Sequence, residues 1–331
     1  MSVKPAVLAL LLTAGLVCLT LAAAAVQGLL IRRGFDLASG SPRQLALERR
    51  TYLVSTALSL VMAFEIMSLF LLVYVADDLH ELFVGAMCAA GTFNVNSYGY
   101  TALTLKTLGA LGCGVWLAVN HADTLGYDYP LLKSKYLWLS PLSLLVLLAD
   151  YVETRFLLGL APDQITSCCG AIFSEAAAGV AGTLSHVPPR LAQVLFVAGL
   201  LAVARSAAHV LATGRGARIF AAASAALFAA SLIAVVSFIS VFWYELPTHH
   251  CPFCLIQAEY GFVGYPLYAG LILGTVCGLA VGALADAGRH ASLAEVLPRL
   301  RRRLTVAALA GFGLTAAIAA WPMIFSDFRL G

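Results

Sequence analysis

The run IFAAASAALFAASLIAVVSFISVFWYELPTHHCPFCLIQ, Ile219 to Gln257, decides the class of this protein. From Ile219 to Tyr244 it holds no charged residue and exceeds the roughly 20 apolar residues that a helix needs to cross a bilayer. A break follows at Pro247, and behind it stand His249-His250-Cys251-Pro252-Phe253-Cys254. The cysteine pair opens a further apolar stretch to about Ala285, so the spacing predicts a Cys-x-x-Cys at the mouth of a membrane helix. Free N–H groups and the positive helix end stabilise a thiolate in such a place, and a protonated His249 or His250 acts in the same direction. A static disulfide or a metal site are the other readings of the motif.

Composition extends the membrane reading to the whole chain. The 331 residues are 61% hydrophobic and 11% charged, with a mean hydropathy of +0.91. A soluble domain carries about 25% charged residues. The expected fold class is therefore an all-α polytopic membrane protein with about eight helices. The spans are expected near 5–31, 52–75, 101–120, 137–160, 191–213, 219–244, 251–285 and 305–324. Lys4 and the small residues Ala22 to Ala25 give the first span a likeness to a signal peptide. The arginines that follow, at 32, 33, 43, 49 and 50, read instead as a cytoplasmic loop after a retained helix.

Charge orients the spans. Of the 20 Lys and Arg residues, only Lys4, Arg190 and Arg329 fall in segments read as outside, and Lys106, Arg155 and Arg205 fall in spans. The others gather in four short loops, as the positive-inside rule requires of cytoplasmic segments. Both termini are then extracytoplasmic, and the net charge of +3 signals orientation rather than nucleic-acid binding. Gly99-Tyr100 and Leu108-Gly109 recur as Gly264-Tyr265 and Leu273-Gly274, which suggests two tandem four-helix units, 1–160 and 161–331.

This topology sorts the eight cysteines. Cys88, Cys168, Cys169, Cys251 and Cys254 fall outside, where disulfides persist. Cys18, Cys113 and Cys277 fall in spans and read as small packing residues. A bridge between the adjacent Cys168 and Cys169 is far from normal disulfide geometry. These two are expected to pair with each other only transiently, and otherwise with Cys88, or with Cys251 or Cys254 as a mixed disulfide. Such an arrangement passes electrons between two thiol pairs by exchange. One structural disulfide tying two outside loops together is the alternative, and Cys88 receives no assigned role.

Two loop cysteines, two spans and then a Cys-x-x-Cys at the outer end of the next span resemble the vitamin K epoxide reductase family. The phrase Cys251-Pro252-Phe253-Cys254-Leu255-Ile256-Gln257 also resembles the signature of the DsbB-type quinone-linked thiol oxidases. That resemblance implies a four-helix core coupling loop thiols to a quinone. Cys251 and Cys254 would be the quinone-proximal pair, and Cys168 and Cys169 the shuttle cysteines. The chain departs from the pattern in the adjacency of Cys168 and Cys169, and in Ala258, where the DsbB-type sequence has arginine. A thioredoxin-like partner would be a separate protein.

Gln257, Tyr260, Tyr265 and Tyr268, with Phe262, are candidates to line a quinone slot; an interfacial aromatic belt explains the aromatic residues equally. Ionisable residues inside spans are costly and mark function. Glu65, Asp150, Glu153 and Arg155 form that set, with Lys106, Arg205 and His209. Asp150 and Glu153 share a helix face by their spacing, with Arg155 as the expected counter-charge. The group reads as a proton path or as a buried ion-pair network. His249 and His250, with His80, His186 and the cysteines, also offer a site for a soft metal such as copper, zinc or mercury. A haem between His209 and His121 is a further option.

The expected function is a bacterial inner-membrane thiol–disulfide oxidoreductase with its cysteine clusters facing the periplasm. It would relay electrons between periplasmic thiols and a membrane quinone, with Cys251 as first nucleophile. The alternatives are a transporter or binding protein for a thiophilic metal, and a membrane anchor of a respiratory complex with structural cysteines.

Overall fold

A computed structural model describes residues 4–36, 39–162, 164–167, 169–173 and 187–329; the side chains of Arg32, Cys169 and Gly170 lie outside that description. The chain is an all-α membrane protein. Among the described residues, eight helices are long and apolar enough to span a bilayer. They are α1 (Pro5–Gly34), α2 (Pro42–Asp78), α4 (Gly99–Thr124), α5 (Leu132–Leu158), α7 (Pro189–Thr213), α8 (Ala217–Ala234, continued to Tyr244), α10 (Gly264–Ala283) and α11 (Leu297–Phe325). Two short helices, α3 (Ala89–Phe93) and α6 (Cys169–Ile172), lie between spans, and α9 (Ser240–Tyr244) ends the sixth span after a π-helical turn, Val235–Ile239.

Several helices run past the apolar bands. α2 begins ten residues before the expected Tyr52 and carries Arg43, Arg49 and Arg50; α11 carries Arg299, Arg301, Arg302 and Arg303. A helix satisfies its own backbone in water as well as in lipid, so its hydrogen-bond ladder need not stop where the hydrocarbon does. Lys135, expected in a loop, lies on α5 and is buried. Its Nζ is 2.7 Å from Asp123 Oδ2 and 2.8 Å from Asn120 Oδ1, so it joins α5 to α4.

The expected start of the seventh span at the cysteines is corrected. Residues 254–256 and 258–260 are short 3₁₀ turns, and α10 begins only at Gly264. Left-handed backbone at Gly261 (φ 64°) and Phe262 (φ 56°) keeps the chain from continuing as a helix.

The chain forms two compact units, interleaved in sequence. The first comprises 1–72, 98–159 and 283–300; the second comprises 73–97, 160–282 and 301–331. In the first, Val17, Leu21 and Ala24 of α1 share a core with Leu58 and Met62 of α2, Trp116 of α4 and Tyr136 and Leu139 of α5. In the second, helices approach through small residues. Gly270, Gly274, Gly278 and Gly282 recur at i+4 along α10. A Cβ on Gly270 would stand 2.8 Å from the Gly311 carbonyl oxygen of α11, and one on Gly278 would overlap Ser224 of α8. Lipid offers no hydrophobic drive for helix pairing, so this close backbone approach supplies the packing.

Candidate functional site

Three thiols converge in the second unit. The sulfurs of Cys88, Cys251 and Cys254 all lie within 4.8 Å of one another, and the residues are 0%, 1% and 5% exposed. Cys88 Sγ and Cys251 Sγ are 3.5 Å apart, a thiol–thiol contact well beyond the roughly 2.0 Å of a disulfide bond. His249 Nε2 stands 3.4 Å from Cys254 Sγ. Cys251 and Cys254 were singled out from the motif; Cys88 was not given a role. Its position before α3 becomes meaningful only through a contact with Cys251 across 163 residues.

The Cys-x-x-Cys loop is held from several sides. The Tyr244 hydroxyl donates to the Cys251 carbonyl and the Tyr268 hydroxyl to the Pro252 carbonyl, both at 2.6 Å. Phe253, between the cysteines, is buried against Phe93 and Phe173, with ring centroids 5.6 and 6.5 Å away. The Tyr244 ring meets the rings of His249 and Tyr260, each at 4.6 Å. His250 turns away from the sulfurs, and its Nδ1 contacts the Val236 carbonyl in the π-helical turn at 3.0 Å. A π turn in a span recurs at functional sites, and here its carbonyl is engaged by the histidine next to Cys251.

Gln257 ties the two cysteine segments together. Its Nε2 donates to Asp77 Oδ1 at 3.2 Å and to the Met87 carbonyl, beside Cys88, at 3.1 Å. The same Asp77 oxygen accepts the N–H of Ala89 at 3.1 Å, so it caps the first turn of α3. Tyr265 and the exposed Phe262 pack at 6.4 Å, and the Phe262 N–H donates to the Gln257 carbonyl at 3.1 Å.

Cys168 lies outside the described residues, as does the side chain of Cys169. Their flanks are described and reach the same place. Val84 donates to the Gln164 carbonyl at 3.0 Å and accepts from Thr166 N–H at 2.9 Å, an isolated parallel bridge. Thr166 Oγ1 also donates to the Gly91 carbonyl of α3 at 3.0 Å. On the far side, α6 packs against α3, and Phe173 meets Phe253. Gly85 makes the bridge possible: it adopts φ 92°, and a Cβ there would run into the Thr166 carbonyl oxygen.

The span carboxylates gather elsewhere, in the first unit. Glu65, Asp150 and Glu153 surround Lys106, with Nζ–O distances of 3.0, 2.7 and 2.7 Å. The shared face of Asp150 and Glu153 is as expected. Arg155 is not their counter-charge: its guanidinium lies over the Tyr98 ring, 5.6 Å from the centroid, and Lys106 takes that role from the neighbouring helix. His80 contacts the Asp77 carbonyl, and His186 lies outside the described residues. His121 and His209 belong to different units.

No protein-family model, curated protein or solved structure matches this chain.

Proposed function

We propose that the protein is a membrane thiol–disulfide oxidoreductase that passes electrons from extracytoplasmic thiols to a membrane quinone. The observation that carries this reading is the contact of three buried sulfurs, with Cys251 next to both Cys88 and Cys254. Exchange proceeds when a thiolate attacks one sulfur of a disulfide and expels the other. In the thiol form, Cys88 Sγ already stands 3.5 Å from Cys251 Sγ, the sulfur that a Cys88 thiolate would attack in a Cys251–Cys254 bridge. The S–S bond of that pair breaks, a Cys88–Cys251 bond forms, and Cys254 leaves as a thiolate beside His249, whose Nε2 can return or remove its proton.

Burial supports a relay. The three sulfurs are too enclosed for a folded partner protein to reach, so a more accessible pair must meet it. Cys168 and Cys169 are suited to that step because the chain on both sides of them is fastened to the Cys88 and Cys251 segments. They would take up a disulfide exchange with a separate thioredoxin-like protein and hand the electrons inward. Reoxidation balances with a quinone as substrate: two thiols lose two electrons and two protons, one S–S bond forms, and quinone becomes quinol. Phe262 and Tyr265 offer the aromatic surface against which a quinone ring would lie. In the bacterial inner membrane, with the basic loops in the cytoplasm, this site faces the periplasm.

The same geometry favours a second reading, a soft-metal site. A tetrahedral zinc with Zn–S bonds near 2.3 Å sets its sulfurs about 3.8 Å apart. Three thiols within 4.8 Å of one another make a three-sulfur donor set near that size, and the His249 Nε2 lies 3.4 Å from one of them.

One experiment separates them. Protein reduced under anaerobic conditions in lipid nanodiscs is mixed with a short-chain quinone, quinol is followed by absorbance, and cysteines are mapped by alkylation and mass spectrometry. The oxidoreductase reading expects stoichiometric quinol together with a bridge among Cys88, Cys251 and Cys254. No quinol from a metal-free, fully reduced protein overturns it. Stoichiometric zinc that shields those thiols from alkylation assigns the metal reading.

A further inference from the structure

The charge cluster of the first unit is not used by thiol chemistry. Glu65 on α2, Lys106 on α4 and Asp150 and Glu153 on α5 lie within membrane spans, and none of the four side chains is more than 5% exposed. One ammonium against three carboxylates leaves two negative charges uncompensated. A buried carboxylate without a partner neutralises itself by taking up a proton. α1, which packs on α5, brings no charge along Pro5–Ile31, and the thiol of Cys113 on α4 is the further titratable group beside the carboxylates.

The hydrogen bonds point the same way. Lys106 Nζ has three N–H bonds to give. Five oxygens stand within 3.0 Å of it: both of Glu65, Oδ1 of Asp150, Oε2 of Glu153 and Oγ of Ser68. Among the described residues, Asp150 Oδ2 and both carboxylate oxygens of Glu153 are buried without a hydrogen-bond partner. A carboxylate only accepts, whereas a carboxyl also donates. Two protons therefore cancel the excess charge and can give each of the two under-bonded carboxyl groups a donor of its own.

We propose that Glu65, Lys106, Asp150 and Glu153 form a proton-binding site that holds two protons per chain within the membrane. The count is independent of where those protons sit, because a neutral amine among three carboxyls holds the same total as an ammonium beside one carboxylate. The ligand is the proton rather than a metal ion, since the point on which the carboxylates converge is filled by Lys106 Nζ. Helices α2, α4 and α5 meet through these groups, so loading or releasing a proton changes what binds the three together.

Infrared spectroscopy of the full-length protein in lipid nanodiscs at neutral pH tests this. The expected result is a protonated-carboxyl C=O stretch that shifts on transfer to D₂O. Glu153→Gln and Asp150→Asn each remove one negative charge, so each is expected to lower the band by roughly one third to one half, depending on whether Lys106 is neutral or charged. Thermal unfolding in parallel shows whether each variant is folded, and the wild-type band in D₂O stands whether or not they are. Absence of the band in the wild type overturns the proposal, and a sodium-dependent rise in thermal stability alongside that absence assigns the balancing charge to a metal cation. A band unchanged in both folded variants also overturns it.

Discussion

Cys88 Sγ lies 3.5 Å from Cys251 Sγ, and the two residues are 163 positions apart in the chain. With all three sulfurs within 4.8 Å of one another, Cys251 is able to bridge to Cys88 as well as to Cys254. Replacing Cys254 with serine leaves Cys251 one partner among them. Mild oxidation of Cys254→Ser is expected to give a Cys88–Cys251 cross-link, seen by non-reducing peptide mapping. Cys88→Ser is expected to give only the Cys251–Cys254 bridge. If Cys254→Ser yields no cross-link to Cys88 under conditions that oxidise the wild type, the exchange order proposed here is wrong.

His249 and His250 are adjacent but are expected to behave differently. His249 faces the Cys254 sulfur at 3.4 Å, whereas His250 engages the Val236 carbonyl. A positioned acid–base group contributes about 10²–10⁴-fold to a proton-transfer step. His249→Ala is thus expected to slow reoxidation of the reduced protein by about 100-fold in stopped-flow quinol assays. His250→Ala should leave that rate within about threefold and lower thermal stability instead, since a buried backbone carbonyl loses its partner. Equal rate losses in the two variants would remove the special role of His249.

The legible part of this protein was the part written in one dimension. An apolar run long enough for a bilayer identifies a helix whatever surrounds it, and all eight emerged that way. Leu255 and Ile256 extended the seventh run falsely because their hydropathy matches a span. The backbone there is set by the left-handed turn at Gly261 and Phe262, which hydropathy does not encode. The site was half legible. Cys251, Cys254 and His249 lie within one motif, but Cys88, Asp77 and Tyr244 join it only through contacts distant in sequence. Chain proximity points to Arg155 as the counter-charge, but Lys106 takes its place across a helix interface. A lysine in an apolar span with no acidic residue within one helical turn was the signal available for that pairing.

Gly85 sets the distance between the chain before Cys168 and the chain before Cys88. An alanine there would be strained at φ 92° and would collide with the Thr166 carbonyl oxygen. Gly85→Ala is expected to break the Val84–Thr166 pairing and cost about 1–3 kcal/mol. The Cys88–Cys251–Cys254 cluster is held separately by Gln257 and Tyr244, so reoxidation of the buried thiols by quinone should persist. Reduction by an external dithiol should fall, because the flank of Cys168 is no longer fastened. A variant that loses both half-reactions equally, with the fold retained by circular dichroism, would contradict this division of labour.

Asp123 tests whether the first unit depends on its second buried charge pair. Its Oδ2 lies 2.7 Å from Lys135 Nζ, and its Oδ1 accepts the Leu131 N–H at 2.7 Å, closing the turn between α4 and α5. Both side chains are at most 2% exposed. Asp123→Ala strands an ammonium and a backbone donor at once, and removal of one member of a buried pair costs about 3–5 kcal/mol. The double variant Asp123→Asn/Lys135→Met removes the charge and keeps an acceptor for Leu131. It is expected to recover most of the loss, because an apolar replacement of a buried pair is often neutral. Thermal unfolding in detergent compares the two: a double variant as unstable as Asp123→Ala, with the Leu131 acceptor kept, would show that the ion pair itself, rather than a stranded charge, governs the stability.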